Sequence, residues 1–206
     1  MKKLLLLLLC LPLLFSCGEQ DTKVKTSTTS FNHQDKDDLI EQFNRDMKRT
    51  TEASNNKDWD VVFDIAYPKL FDMASKEQLV KVFESLFDVY KDFQLRPSNI
   101  IDIYPIVNYE GDQFTRFFYD NEVIFTFYNT DDLDNTLPVF IDEYGEDNVK
   151  AFRNTNSISI KMKSSQLAVL QENSSEWKYL EWKEGQEEVF KQYDIIPVSV
   201  LEKLKE

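Results

Sequence analysis

The sequence predicts an α+β domain in which N-terminal helices pack on one face of an antiparallel sheet. Two observations support this prediction. Between residues 37 and 90 the apolar residues recur at helical spacing, whereas from Phe93 onwards they alternate with polar residues, as in half-buried strands. Helices that precede the strands, rather than alternating with them, favour an α+β fold over a parallel α/β fold.

Residues 1–16 have the pattern of a signal peptide. Lys2 and Lys3 give a positively charged start, and the apolar run from Leu4 to Phe15 follows them. A helix that spans a bilayer needs about 20 apolar residues, so this run is too short to be a membrane span. The sequence therefore predicts that residues 1–16 are removed from the mature protein.

The end of this run, Leu14-Phe15-Ser16-Cys17-Gly18, resembles the lipobox of bacterial lipoproteins. An aliphatic residue stands at position −3 and a small one at −1, although Phe15 at −2 is bulkier than usual. The resemblance implies cleavage before Cys17 and its lipidation by a diacylglyceryl unit, usually with palmitate on the amine, and several acyl chains make a stable anchor. Cys10 would leave with the signal peptide, so no free thiol would remain for a disulfide or for catalysis. A plain cleaved signal with a stray cysteine is the alternative.

The residues after Cys17 bear on the location in the cell. By analogy with lipoprotein sorting, Gly18 at position +2 favours the outer membrane if the host is Gram-negative. Glu19 and Asp21 resemble the acidic signals that send some lipoproteins to the cell surface. The prediction is a lipid-anchored protein of the cell envelope, with surface exposure as an open alternative.

A flexible tether over residues 17–36 is predicted to join the lipidated cysteine to a single domain over residues 37–206. Val24 and Phe31 are its only sizeable apolar residues, and such a stretch cannot offset its ordering entropy. A flexible chain of about 19 residues has an end-to-end distance on the order of 25 Å. The tether also contains His33, the only histidine.

The charge of the chain bears on its partners. Without Lys2 and Lys3 the mature chain has 22 basic and 37 acidic residues, a net charge of −15. Nucleic acid is excluded as a partner, because the dominant electrostatic contribution to such binding would be repulsive. Anionic lipid is disfavoured for the same reason, so the lipid anchor is the expected membrane contact. Solubility alone also explains the acidity.

Three helices are predicted before residue 90. The first spans Asp37–Asn55 and has one narrow apolar stripe, and the second spans Asp58–Tyr67 and is apolar nearly all round. Pro68 ends the second, because the residue before a proline disfavours the helical conformation. Ser75-Lys76-Glu77-Gln78 has the capping-box pattern and starts the third.

The second half predicts strands, one internal helix and two short closing elements. Pro138 limits the internal helix, within Asp134–Tyr144, to a start near that proline. An amphipathic segment over Glu187–Tyr193 and a helix from Pro197 close the chain. The candidate strands are Leu95–Tyr104, Asp112–Asp120, Glu122–Asn129, Ala151–Lys163, Ser165–Glu172 and Glu176–Trp182.

This order of elements is similar to the nuclear-transport-factor-2-like superfamily, which includes ketosteroid isomerases and polyketide cyclases. The similarity covers about residues 37–205 and includes four short strings: Tyr67-Pro68-Lys69-Leu70-Phe71, Ala168-Val169-Leu170, Trp177-Lys178-Tyr179-Leu180 and Ile195-Ile196-Pro197. The resemblance implies a curved, cone-like sheet with a pocket at its open end. Members of the superfamily either catalyse or bind, so the fold by itself assigns no activity.

Few residues of the domain suggest chemistry. It has no histidine, the side chain best suited to proton transfer near neutral pH and a common metal ligand. A general base would have to be a carboxylate such as Asp102, whose pKa burial would raise; a solvent-facing carboxylate is the simpler interpretation. Asp131-Asp132-Leu133-Asp134 has the oxygen-rich spacing of calcium loops but lacks their glycine and final glutamate, so a helix cap is favoured. No cofactor or metal is predicted.

Aromatic residues are abundant, with 16 Phe, 9 Tyr and 3 Trp. Alternation along the strands sends them to both faces of the sheet, and only one face is needed for the core. The other face is predicted to be a pocket for an apolar small molecule, a surface for a protein partner or the interface of a homodimer. The candidate residues are Tyr119, Phe125, Phe127, Trp177, Tyr179 and Trp182.

Together these features predict a lipid-anchored, non-enzymatic binding or interaction domain of the bacterial cell envelope. The alternative is a pocket enzyme of the isomerase or cyclase type that uses a buried carboxylate as its general base. A third possibility is a purely structural dimer.

Overall fold

The computed structural model describes residues 26–30, 33–96, 98–183 and 185–205. Cys17 and the rest of the lipobox lie outside the described residues. No helix of the described part is long and apolar enough to cross a membrane. The elements in chain order are β1 Ser27–Thr29, α1 His33–Asn55, α2 Trp59–Asp64, α3 Lys76–Val89, β2 Asp92–Leu95, β3 Asn99–Ile103, β4 Ile106–Tyr109, β5 Asp112–Thr126, α4 Thr130–Tyr144, β6 Val149–Phe152, β7 Ser157–Leu170, β8 Lys178–Trp182, α5 Glu187–Gln192 and α6 Val198–Lys203.

The predicted α+β class is confirmed, because helices pack on an antiparallel sheet. The sheet is built around the long pair β5 and β7, which stay in register from Gln113 opposite Leu170 to Thr126 opposite Ser157. Strands β2, β3 and β4 follow one another along the outer edge of β5, and β6 and β8 do so along the outer edge of β7.

The first helices follow the predicted pattern with two differences. Helix α1 begins at His33, within the predicted tether, and not at Asp37. The second helix was expected to reach Tyr67 but ends at Asp64, because the next residues pair with β8 instead. Tyr67 N–H donates to the Tyr179 carbonyl at 2.8 Å, and Tyr179 N–H donates to the Ile65 carbonyl at 2.9 Å. The capping box of α3 is confirmed: Gln78 N–H donates to Ser75 Oγ at 3.3 Å and Ser75 N–H to Gln78 Oε1 at 2.8 Å.

The predicted strand boundaries need correction. The two strands expected on either side of Asn121 are one strand, β5. The strand expected over Ala151–Lys163 is divided by a turn at Arg153–Thr155: its first residues lie in β6, and the rest joins the strand expected over Ser165–Glu172 in β7. The backbone pairing of β5 with β7 runs unbroken past the polar residues in the middle, which are exposed or half-buried. The single strand expected over Leu95–Tyr104 is two strands, β2 and β3; Pro97, which has no N–H for a ladder, lies between them in the sequence.

Helix α4 begins eight residues before Pro138, contrary to the prediction. Asn129 caps it, since its Oδ1 accepts the Asp132 N–H at 2.9 Å. Acidic residues in the first turn also suit the positive end of the helix dipole. These contributions outweigh the one hydrogen bond that an internal proline removes, so Asp131–Asp134 is the first helical turn.

The predicted tether contains ordered structure. Ser27, Thr28 and Thr29 form β1, which pairs with Asn108, Val107 and Ile106 of β4. Asn108 Nδ2 also donates to Thr29 Oγ1 at 2.9 Å. Because all three side chains of β1 are exposed, no hydrophobic pattern could have predicted it. The strand satisfies backbone groups that the edge strand β4 would otherwise leave unpaired.

The two faces of the sheet are covered differently. On the first, the helix face, Phe117, Ala168 and Tyr179 pack against Phe43 and Met47 of α1, and further along it α4 packs on the far ends of β5 and β7. The opposite side is covered at one end by α5 and α6, which bury Phe114, Leu167, Val169, Leu180 and Trp182 with Phe190, Ile195, Ile196, Val200, Leu201 and Leu204. The rest of that side carries Arg116, Phe118 and Asp120 of β5 and Lys163 of β7. We call it the open sheet face.

Candidate functional site

The centre of the helix face is filled by aromatic side chains. Phe43 of α1 is fully buried, and its ring centroid lies 5.0 Å from that of Phe117, 5.3 Å from Trp177 and 5.6 Å from Tyr179. Ring contacts at these distances are those of a packed core. The space between α1 and the centre of the sheet is therefore filled by the protein's own side chains.

A small recess of about 110 Å³ lies beside this cluster, lined by Gln42, Asp46, Arg49, Ile65, Glu176 and Trp177. Tyr179 Oη donates a hydrogen bond to Asp46 Oδ2 at 2.5 Å. Burial raises the pKa of Tyr179 well above its usual value, and the hydrogen bond to Asp46 and the charge of that residue raise it further. The pair joins positions 133 residues apart in the chain, and no local pattern pointed to it.

Asp102, the carboxylate considered as a general base, does not have the required environment. Its side chain is 60% exposed, and its Oδ1 accepts hydrogen bonds from Lys36 Nζ at 3.0 Å and from the Ile103 N–H at 2.8 Å. The Lys36 hydrogen bond lowers the pKa of Asp102 and, with the Ile103 N–H and the charges of Lys36 and Lys163, outweighs the opposing effect of burial. A general base with a raised pKa would need a buried carboxylate without a neighbouring cation.

The six aromatic residues predicted to form a ligand or partner surface lie in the cores. Tyr119, Phe127, Trp177, Tyr179 and Trp182 are buried, and Phe125 is half-buried against Tyr90 and Phe140. Tyr119, Trp177 and Tyr179 pack in the cluster around Phe43 of α1, and Phe125 and Phe127 lie in the cluster under α4. Only Trp182 is covered by α5 and α6, with its ring centroid 5.8 Å from that of Phe190.

The open sheet face carries a cation that the sequence analysis did not single out. The guanidinium carbon of Arg116 lies 4.7 Å from the ring centroid of Phe118 and 4.8 Å from that of Trp182. Its Nε and Nη2 donate to Ser165 Oγ at 3.3 and 3.2 Å, and Ser165 Oγ donates to the Trp182 carbonyl at 2.8 Å. Desolvation lowers the pKa of Arg116, yet a guanidinium stays charged at any physiological pH.

Phe118 connects Arg116 with a second cation. Lys163 Nζ lies 4.9 Å from the Phe118 ring centroid, and the Tyr104 ring lies 5.7 Å from it. Tyr104 is held in place because its N–H donates to the Arg116 carbonyl at 2.8 Å, and its own carbonyl accepts from Thr115 Oγ1 at 2.6 Å. Two cations thus contact one half-buried ring, in a chain of net charge −13.

A larger recess of about 580 Å³ lies further along the sheet, lined by Asn99, Asp120, Asn121, Glu122, Asn148, Lys161, Met162 and Lys163. Asp120 stands opposite Lys163 in the ladder, and Glu122 stands opposite Lys161, so the charges of this recess compensate one another. In the described ranges no three His, Cys, Asp or Glu residues are grouped so that they could hold a metal ion.

Comparisons with known proteins give little further information. No family model matches the chain, and no curated protein matches it. Two chains of solved structures do match, one of which is the crystal structure of AclR from Streptomyces galilaeus, described as a candidate hydroxylase. It is 12% identical, the match covers 77% of this chain and 99% of that chain, and the TM-score is 0.29. At this TM-score the similarity supports no conclusion about fold or activity.

Proposed function

We propose that this chain is a lipid-anchored, non-enzymatic binding or interaction domain of the bacterial cell envelope. The observation that carries the proposal is the packed centre of the helix face. Catalytic sites are concave pockets of about 300–1,000 Å³ that enclose much of their substrate. Between α1 and the sheet, Phe43, Phe117, Trp177 and Tyr179 fill the space that such a pocket would need. The recess of about 580 Å³ has that volume, but it lies outside this core and its lysines stand opposite its carboxylates. Binding would then take place on an outer surface of the domain.

The proposed anchor is Cys17, and β1 changes its expected reach. Only nine residues separate Cys17 from Ser27, which is paired at the β4 edge of the sheet. Nine residues reach at most about 32 Å even when fully extended, which is about half the limit for the whole tether. The β4 edge would therefore lie close to the membrane. The sorting pattern favours the outer membrane, and a relation to nuclear-transport-factor-2-like proteins remains part of the proposal.

Labelling cells with an alkyne analogue of palmitate tests the anchor. We expect the wild-type protein to carry the label, because the lipobox directs acyl chains to Cys17. A Cys17→Ala variant should carry none and should accumulate as the uncleaved precursor, while a Cys10→Ala variant, changed within the signal peptide, serves as the matched control and should be labelled fully. Label on Cys17→Ala, or its absence from the wild-type protein, would refute the proposed anchor.

A pocket enzyme that uses a carboxylate is the second candidate, and one observation favours it. Asp46 borders the small recess and accepts the hydrogen bond of Tyr179, a pairing of carboxylate and tyrosine suited to proton transfer. The recess of about 110 Å³ is smaller than an ordinary ligand pocket, which favours the binding function. A ligand whose binding raises the melting temperature of the wild type but not of Asp46→Asn would favour the enzyme.

A further inference from the structure

Arg116 has hydrogen-bonding capacity that the protein does not use. A guanidinium has five N–H donors. Two of them reach Ser165 Oγ, which leaves the two on Nη1 and one on Nη2 without an acceptor in the described residues. None of the ion pairs among the described residues includes Arg116, although other basic residues, such as Lys36 and Arg153, pair with carboxylates. The free donors of Arg116 are available to a ligand.

The guanidinium is also fixed in place before any ligand arrives. The rings of Phe118 and Trp182 contact it, and Ser165, held by the Trp182 carbonyl, fixes its Nε edge. An arginine held in this way loses little conformational entropy when it binds an anion, because that cost is already met in folding. An exposed, flexible arginine would offer the same charge with a larger entropy loss.

The charges around Arg116 come from several elements. Lys163 of β7 lies near the same ring, and Asp102 of β3 faces Lys163 but is paired with Lys36. Glu187 of α5 is the acidic residue whose charge acts on Arg116, and its carboxylate lies 3.7 Å from Lys205 Nζ. The nearby acidic groups are thus engaged with lysines, and Arg116 keeps its positive charge for a ligand.

We propose that Arg116, with Phe118 and Tyr104 beside it, binds a carboxylate group attached to an apolar body. The planar guanidinium fork matches the two oxygens of a carboxylate. The half-buried rings of Phe118 and Tyr104 offer contact area to the apolar part of the ligand. The carboxylate belongs either to the free C-terminus of a peptide or to a small organic acid. This inference rests on the proposed binding function and names its ligand class.

The test uses the full chain in detergent micelles, labelled with ¹⁵N-arginine. The chain has five arginines, so the spectrum contains five Nε–H signals, which single Arg→Lys variants assign. Four probes are titrated: benzoate, a short peptide that ends in phenylalanine with a free carboxylate, the same peptide with an amidated end, and inorganic phosphate. We expect the Arg116 signal alone to shift and saturate, with a Kd on the order of 1 mM for the better acid.

The pattern of responses identifies the source of the carboxylate. Tighter binding of the acid peptide than of benzoate indicates a peptide terminus, and the reverse indicates a small acid. An equal response to the amidated peptide, an equal response to inorganic phosphate, or no shift of Arg116 with either acid would overturn the proposal. None of these outcomes depends on lipidation, so a failure here is distinguishable from a failure of the palmitate labelling.

Two variants separate binding from folding. Arg116→Lys keeps the charge but loses the fork, so we expect affinity for the acid, measured by calorimetry, to fall at least about tenfold. Arg153→Lys is the matched control, since Arg153 is exposed and paired with Asp134, and it should bind as the wild type does. The remaining Nε–H signals of Arg116→Lys report whether it is folded. Wild-type affinity in a folded Arg116→Lys protein would contradict the site.

Discussion

Phe43→Ala is expected to lower the free energy of unfolding by about 3–5 kcal/mol. The side chain is 0% exposed and touches the rings of Phe117, Trp177 and Tyr179. Its removal loses the transfer free energy of a phenyl group, leaves a cavity and removes three ring contacts, which can each add about 0.5–1.5 kcal/mol. Unfolding in urea, followed by circular dichroism, measures the change.

Phe152→Ala is the control for this experiment. Phe152 lies on β6 with 36% of its surface exposed, so its loss should cost about 1 kcal/mol or less. If Phe43 instead bordered an open, solvated pocket, both variants would behave alike. A cost for Phe43→Ala below about 1 kcal/mol would therefore contradict the packed helix face and with it the main support for a non-enzymatic function.

Alkaline pH is expected to unfold the domain. Burial raises the pKa of Tyr119 to about 12 and that of Tyr179 further. In the unfolded chain a tyrosine ionises near pH 10, so above that pH the unfolded state binds fewer protons than the folded one. Stability is thus fully present below pH 10 and falls above it by about 1.4 kcal/mol per pH unit for each of these tyrosines. By about pH 12 these two tyrosines alone account for a loss on the order of 5 kcal/mol, comparable with the stability of many domains.

Tyr179→Phe tests the contribution of one ring. Stability is measured by urea unfolding at a series of pH values above 10, while tyrosinate absorbance reports ionisation. Because phenylalanine does not ionise, the free energy of unfolding of the variant should fall less steeply with pH. The slope should be smaller by about 1.4 kcal/mol per pH unit, the contribution of one tyrosine. Tyr193→Phe, changed at an exposed ring, is the matched control. Ionisation of Tyr179 near pH 10 in the folded protein would show that its ring is not desolvated.

The sequence predicted elements whose signals are local. The capping box at Ser75 and the apolar stripe of α1 are formed by neighbours in the chain, so periodicity and spacing identify them. The edges of β5 and β7 and the start of α4 were predicted wrongly, because a continuous partner strand and an Asn129 cap outweighed the local breaks and Pro138. Strand β1 has no apolar signal at all.

The candidate site was largely unpredictable for the same reason. Arg116 and Ser165 are 49 residues apart, and Asp46 and Tyr179 are 133 apart, so only the fold brings them together. The aromatic residues were visible in the sequence, but their burial depends on where α1, α4, α5 and α6 pack. Alternation along a strand assigns a side chain to a face without showing what covers that face.

The central claim is that the mature protein begins at a lipidated Cys17. Intact-mass spectrometry of the protein purified from membranes, with sequencing of its N-terminal peptide, tests this claim most directly. We predict a chain that lacks residues 1–16 and carries on Cys17 the added mass of a diacylglyceryl group, with or without a further acyl chain. A mature chain that retains residues 1–16, or that has an unmodified Cys17, would contradict it.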